Sequence, residues 1–267
     1  MYEFDYSKPA NLADAAKALG DADAKLVAGG MTLIPTLKQR LAKPSSLIDL
    51  ATIPGLKGIT EESGGLRIGA MTRHVEVQRS DIVKRVIPAL SNLAGLIGDP
   101  AVRNRGTIGG SISNNDPAAD YPSAVVGLGA AVVTTKREIA GDDFFTGMFE
   151  TALGQDEIVT AIKFPKPQAA AYQKFKNPAS RYAIVGVFVA RTGSGVRVAV
   201  TGAGPCVFRV PEMETALAKS FSADAIKDIA IPDDGLNSDI HASAEYRAHL
   251  VNVMARRAVA ACAYGEP

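Results

Sequence analysis

The chain has 267 residues, 47% hydrophobic and 21% charged, with 29 Lys+Arg against 28 Asp+Glu and a formal net charge of +1. This balance predicts a folded globular protein of one large or two modest domains and excludes disordered, collagenous and coiled-coil chains. No block of like charge offers a footprint for nucleic acid, and the most apolar run, Ala124 to Val133, falls well short of the roughly 20 residues of a spanning helix.

Glu3 and Asp5 stand where a secretory signal carries Lys or Arg, so the expectation is a cytoplasmic protein, mature from Met1, without a membrane anchor. Asn11 is suited to cap a helix over Leu12 to Leu19, closed by Gly20. Lys25 to Ala28 reads as a short strand running into Gly29-Gly30, after which Thr32 and Pro35 open a helix over Leu33 to Leu41. Strands are expected at Ser46 to Leu50 and Leu66 to Gly69. Thr72 to Ile97 has helical spacing that Pro88 must kink or split.

Gly98 to Pro122, GDPAVRNRGTIGGSISNNDPAADYP, is rich in breakers and is expected to be a long irregular loop, of the kind that usually carries function in compact domains. Beyond it follow a helix from Pro122 and strands at Ala131 to Thr135 and Glu157 to Phe164. Pro165-Lys166-Pro167 then marks a domain boundary, giving domains 1–166, with parts at about 1–55 and 56–166, and 167–267. The second domain groups three β-rich runs, Ala171 to Lys176, Ala183 to Thr192 and Val196 to Thr201. Helical segments follow at Glu212 to Lys219, Ala223 to Ile229 and Glu245 to Ala263. Strands before helices predict an α+β fold.

Two segments share a chemistry, Ala28-Gly29-Gly30-Met31-Thr32 and Thr107-Ile108-Gly109-Gly110-Ser111. Paired glycines let backbone approach a ligand and turn successive N–H groups to one side, which suits an anion such as pyrophosphate. The first segment also opens a helix, whose terminal N–H groups add to that attraction. Taken alone, either pair is more often just a tight turn, and it is the occurrence of two, each beside a Thr or Ser, that sets a ligand site level with that reading. Val198 to Pro205 imitates a dinucleotide fingerprint but has Val207 at the third glycine position and Pro205 inside the loop, so it is read as a strand-to-loop turn. His74, His241 and His249 are scattered, and Cys206 and Cys262 lie far apart with no His beside them. No metal or cluster site can be assembled from these residues, and neither a P-loop nor a GxSxG nucleophile occurs.

The segments FDYSKPANLADAAKAL, AGGMTLIPTLKQRLAKPSSLIDL, IGAMTRHVEV, TIGGSISNNDPAADYP, DEIVTAIKFP and EYRAHLVNVMARRAV together span essentially the whole chain. In them the sequence resembles the FAD-binding medium subunit of the molybdenum hydroxylases. This branch is typified by aerobic carbon monoxide dehydrogenase and shared with the flavin domain of xanthine dehydrogenase.

That resemblance implies a two-part FAD-binding domain of the vanillyl-alcohol-oxidase type, followed by a small α+β domain with a three-stranded sheet and helices. It implies that both glycine segments wrap the FAD pyrophosphate, that Asp120 accepts hydrogen bonds from the cofactor, that Lys176 lies near the isoalloxazine and that Tyr182 stands beside the flavin. Met31 takes a variable family position, and Ser111 replaces a frequent Asn. FAD would be held without a covalent bond, and His74 is expected to lie away from the ring. The molybdenum cofactor and [2Fe–2S] clusters would reside on a large and a small partner subunit, in a dimer of heterotrimers. The implied function is electron transfer from those clusters through FAD to an external acceptor. A self-contained flavin oxidase of the same fold and a flavin-free scaffold subunit are the alternatives.

Overall fold

The computed structural model describes every residue except Ala22, Ser63 and Gly265 to Pro267. The first part is a three-stranded parallel sheet, order β1-β3-β2, built from β1 (Asp5–Ser7), β2 (Lys25–Val27) and β3 (Ser46–Asp49). Its crossovers are α1 (Leu12–Ala18) and α2 (Leu33–Lys38). Asn11 caps α1 by accepting from the Asp14 N–H. Helix α2 ends sooner than its sequence pattern suggests, because Arg40 enters the left-handed region at φ 60° and the Leu41 N–H folds back onto Thr36 O. A small core of its own, including Ala15, Ile48, Leu50 and Leu56, holds this part together.

The second part is a five-stranded antiparallel sheet, order β4-β5-β10-β6-β7. Strands β4 (Ile59–Glu62) and β5 (Gly65–Gly69) lead into α3 (His74–Arg79), α4 (Asp81–Val86) and α5 (Pro88–Gly95). The break at Pro88 is joined by a second at Ser80, whose hydroxyl accepts from the Val83 N–H and starts a new helix. The breaker-rich stretch is not irregular, contrary to expectation. It contains α6 (Pro100–Arg105), capped by Asp99 through the Val102 N–H, and α7 (Ile108–Asn114), capped by Thr107 through the Gly110 N–H. Short side-chain caps thus convert residues that discourage long helices into starts and stops of short ones. Helix α8 (Tyr121–Gly127), strands β6 (Ala131–Thr134) and β7 (Glu138–Ala140), α9 (Gly141–Phe144) and the hairpin β8 (Phe145–Gly147) and β9 (Glu150–Thr151) precede β10 (Val159–Pro165).

The third part is a four-stranded antiparallel sheet of β11 (Ala169–Lys176), β12 (Ala183–Thr192), β13 (Gly195–Thr201) and β14 (Phe208–Arg209). The sequence leads one to expect only three strands. The two-residue β14, which pairs with Ala199 and Val200, is too short to show a period in sequence. Helix α10 (Pro211–Lys219), a 3₁₀ turn (Ala223–Ile226) and α11 (Ala244–Tyr264) complete the chain. One face of this sheet packs on α11, through Val185, Val187, Val251 and Met254. Its opposite face joins the core of the second part, where Tyr172, Phe188 and Ala199 meet Tyr121 and Ala124. Burial on both faces explains the nearly unbroken apolar run of β12.

Candidate functional site

The first two parts and the third enclose a cavity of about 530 Å³, within the range of small-molecule sites. Its wall includes Ala28, Gly29, Gly30, Met31 and Thr32 from the β2–α2 turn and Thr107, Gly109, Gly110 and Ser111 from the start of α7. Asp120 and Tyr182 also reach it. Ile108 does not, since its side chain is fully buried in the core.

The two glycine segments, far apart in sequence, are brought side by side, with Gly29 against the backbone of Arg105 and Gly106 just ahead of the second. A Cβ on Gly29 would lie 2.2 Å from Arg105 O, and one on Gly110 would lie 2.9 Å from Thr107 Oγ1 and 3.3 Å from the Ala28 Cβ. Gly30 stands at φ +72°, where a side chain is strained.

The segments differ in what they offer a ligand. The N–H groups of Ile108, Gly109, Gly110 and Ser111 donate within the protein, to Thr72 O, Ala70 O, Thr107 Oγ1 and Thr107 O at 2.8–3.2 Å. Among the hydrogen bonds of the described residues, the N–H groups of Gly29, Gly30, Met31, Thr32 and Leu33 have no acceptor. The expectation that both segments present free amides therefore needs correcting. The first is an open row of donors, whereas the second has its amides engaged and borders the cavity through Ser111, followed further along α7 by Ser113 and Asn114.

Asp120 precedes α8 and is 5% exposed. It accepts from Lys174 Nζ at 2.9 Å and from the Tyr172 hydroxyl, both on β11. Burial pushes its carboxyl up, against the opposing pull of Lys174 and Tyr172. Lys174 also donates to Leu96 O at 3.1 Å and lines the cavity. Lys176 is exposed and does not line it. Strand alternation would put both lysines on one face, but the β11–β12 register shifts between Phe175 and Lys176. The cavity thus receives Lys174 instead of the expected Lys176.

His74 is a cavity residue as well. It stands, 5% exposed, against the Tyr121 ring at 5.4 Å, and burial holds its imidazole down at about 4. Its Nδ1 has no partner among the described residues. Gly106 makes room for it, since a Cβ there would come within 2.5 Å of Nε2. A lone histidine in a helical segment carries no sign of this packing in sequence. The Val198 to Pro205 turn docks the third part on the second: the Gly202 N–H donates to Pro117 O at 2.8 Å, and Thr201 Oγ1 donates to Ala119 O at 2.6 Å.

An open row of backbone donors at one side and a buried lysine at another suit an elongated ligand that carries phosphate and a separate polar ring system, which is the description of a flavin dinucleotide. Such a fold and cavity define an FAD-binding flavoprotein. Residues 2–167 match the family described as FAD binding domain in molybdopterin dehydrogenase, and residues 170–262 match the CO dehydrogenase flavoprotein C-terminal domain. The chain belongs to this family, the FAD-binding medium subunits of the molybdenum hydroxylases.

It is 36% identical to the nicotine 6-hydroxylase medium subunit of Paenarthrobacter nicotinovorans, over 95% of both chains. It is 35% identical to the carbon monoxide dehydrogenase medium chain of Hydrogenophaga pseudoflava, over 96% of both. A solved carbon monoxide dehydrogenase from Hydrogenophaga pseudoflava superposes with a TM-score of 0.89 over 98% of both chains, at 35% identity. Quinoline 2-oxidoreductase from Pseudomonas putida 86 gives 0.89 at 28% identity, over 99% of this chain and 98% of the other. Among the described residues no helix is long and apolar enough to cross a membrane.

Proposed function

We propose that this chain is the electron-transfer subunit of a molybdenum-containing hydroxylase, receiving electrons from the [2Fe–2S] clusters of a small partner subunit and delivering them to an external acceptor. A large partner subunit carries the molybdenum cofactor and oxidises the substrate, in a cytoplasmic dimer of heterotrimers. The observation that carries this reading is one cavity combining the five open amides from Gly29 to Leu33 with the buried Asp120–Lys174 pair. FAD, once bound, exchanges electrons singly or in pairs, which suits it to join one-electron clusters to a two-electron acceptor.

The chain's own residues bind and orient. The amides of Gly29 to Leu33 donate to the pyrophosphate, supported by the Ser111 and Thr32 hydroxyls, while Met31 and the Ala28 methyl border it. Thr107, Gly109 and Gly110 keep the second segment close against the first. Asp120 fixes the Lys174 ammonium, which supplies positive charge to the flavin end. Tyr182 covers that end from the third part. The functional division runs at 1–166 and 167–267, with the cofactor in the first domain and the second closing over it.

Relatives named for nicotine, carbon monoxide, glyceraldehyde and xanthine share this architecture. Substrate choice therefore lies outside this chain. The test is anaerobic mixing of the FAD-loaded chain, alone and in its complex, with candidate substrates. Flavin bleaching only in the complex is expected. Bleaching by substrate in the isolated chain would instead identify a self-contained oxidase, and a chain without flavin would identify a scaffold.

A further inference from the structure

A second, solvent-open depression of about 490 Å³ adjoins the cavity, with Met148, Asn177, Ile184, Asn237, His241 and Arg247 in its wall. Four residues, Asp116, Phe149, Ser180 and Tyr182, line both spaces. Two of these are aromatic rings that the fold leaves open, Phe149 at 56% and Tyr182 at 48% exposed. They come from opposite sides: Phe149 from the β8–β9 turn, Tyr182 from the β11–β12 turn.

Both turns are held by a buried asparagine in backbone that favours glycine. Phe149 sits at φ 58°, a region that a bulky residue rarely enters. Asn115, fully buried, accepts from the Phe149 N–H through its backbone carbonyl at 3.1 Å and donates through Nδ2 to Gly147 O and Glu150 O, each at 2.7 Å. Opposite, Asn177 Oδ1 accepts from the Ala179 and Ser180 N–H groups at 2.9 and 3.1 Å, and the Asn177 N–H donates to Tyr182 O at 2.8 Å. Arg181, beside Tyr182, stands at φ 63°. Stability alone favours glycine at positions 149 and 181 and buried rings, so the strain and exposure coincide with the border between the cavity and the depression.

We propose that Phe149 and Tyr182 form an aromatic rim between the FAD cavity and the adjoining depression, shielding the bound flavin from small solutes that approach from that side. This rests on the reading that the cavity holds FAD.

The test uses the purified holoprotein, photoreduced without oxygen and then mixed with dioxygen, with recovery of the flavin absorbance as the signal. Reduced FAD gives up two electrons and two protons, and dioxygen becomes hydrogen peroxide. Phe149→Ala is expected to accelerate this reaction about tenfold, because the ring no longer excludes small solutes. FAD content should stay at the wild-type level. Phe149→Tyr should keep the wild-type rate. Phe149→Gly, which relieves the backbone but removes the ring, should match the alanine variant even if that variant folds poorly. Wild-type rates in FAD-loaded Ala and Gly variants would overturn the shielding rim while leaving the FAD reading intact. Absence of FAD from the wild-type protein would overturn both.

Discussion

Asp120 and Lys174 form an ion pair of 2.9 Å between the loop before α8 and strand β11, with side chains 5% and 2% exposed. The pair ties the FAD-binding region to the third part and stands in the cavity wall at the same time. Lys174→Met should cost about 3–5 kcal/mol, because it strands a buried carboxylate. Asp120→Asn added to Lys174→Met should recover part of that loss, a coupling that denaturant unfolding of the four proteins in the cycle will measure. Lys176→Met, at an exposed position, should stay within about 0.5 kcal/mol of wild type. Equal losses for the two lysine variants would remove the ion pair's special standing.

His74 gives stability a dependence on mildly acid pH. Its imidazole is held down at about 4 by burial, with the Arg103 charge acting in the same direction, against an ordinary value of 6.5. Below 6.5 the unfolded chain takes up a proton that the folded chain refuses, so stability is full above that value and falls as pH drops towards 4. The loss attributable to His74 approaches about 3 kcal/mol at the lower end. His74→Phe should flatten the unfolding free energy across this window, and an unchanged slope would exclude His74 as its source.

The glycines of the two segments differ in what they protect. Gly29→Ala must separate the β2–α2 turn from Arg105, at a cost of about 1–3 kcal/mol, and should weaken FAD binding in the folded fraction. Gly110→Ala meets the Thr107 hydroxyl and should mainly loosen the cap of α7. Gly193→Ala is a control, since no atom lies within 4 Å of the added carbon. Thermal unfolding and flavin titration of the three variants will rank them, and a Gly29 variant that binds FAD like the control would contradict the close approach.

FAD should be released without a covalent remnant. Cys206 and Cys262 do not line the cavity, and the one histidine that does is packed between Gly106 and Tyr121. Affinity then comes from backbone donors and ring burial and is lost with the fold. Acid precipitation should leave the yellow colour in the supernatant, and chromatography should identify it as FAD. Flavin fluorescence that follows the denatured chain on a gel would refute the claim.

Much of this architecture follows from local sequence. Asn11 and Thr107 start helices because a short side-chain oxygen reaches an N–H three residues on, and Gly29-Gly30 announces a close turn because it lacks Cβ atoms. Such rules act over a few residues and can be read without the rest of the chain. The family's segments, spread over the whole sequence, pointed to the cofactor. Tertiary structure alone decided which lysine reaches the cavity, since one bulge after Phe175 turns Lys176 outward while Lys174 meets Asp120. It also decided which amides stay open: docking against Thr72 and Ala70 consumes those of Ile108 and Gly109, whereas no acceptor among the described residues is set against the N–H groups from Gly29 to Leu33, although Arg105 packs on Gly29. Both outcomes depend on partners distant in sequence, and hydrogen-bond satisfaction is a property of the assembled fold, not of the segment that carries the donors.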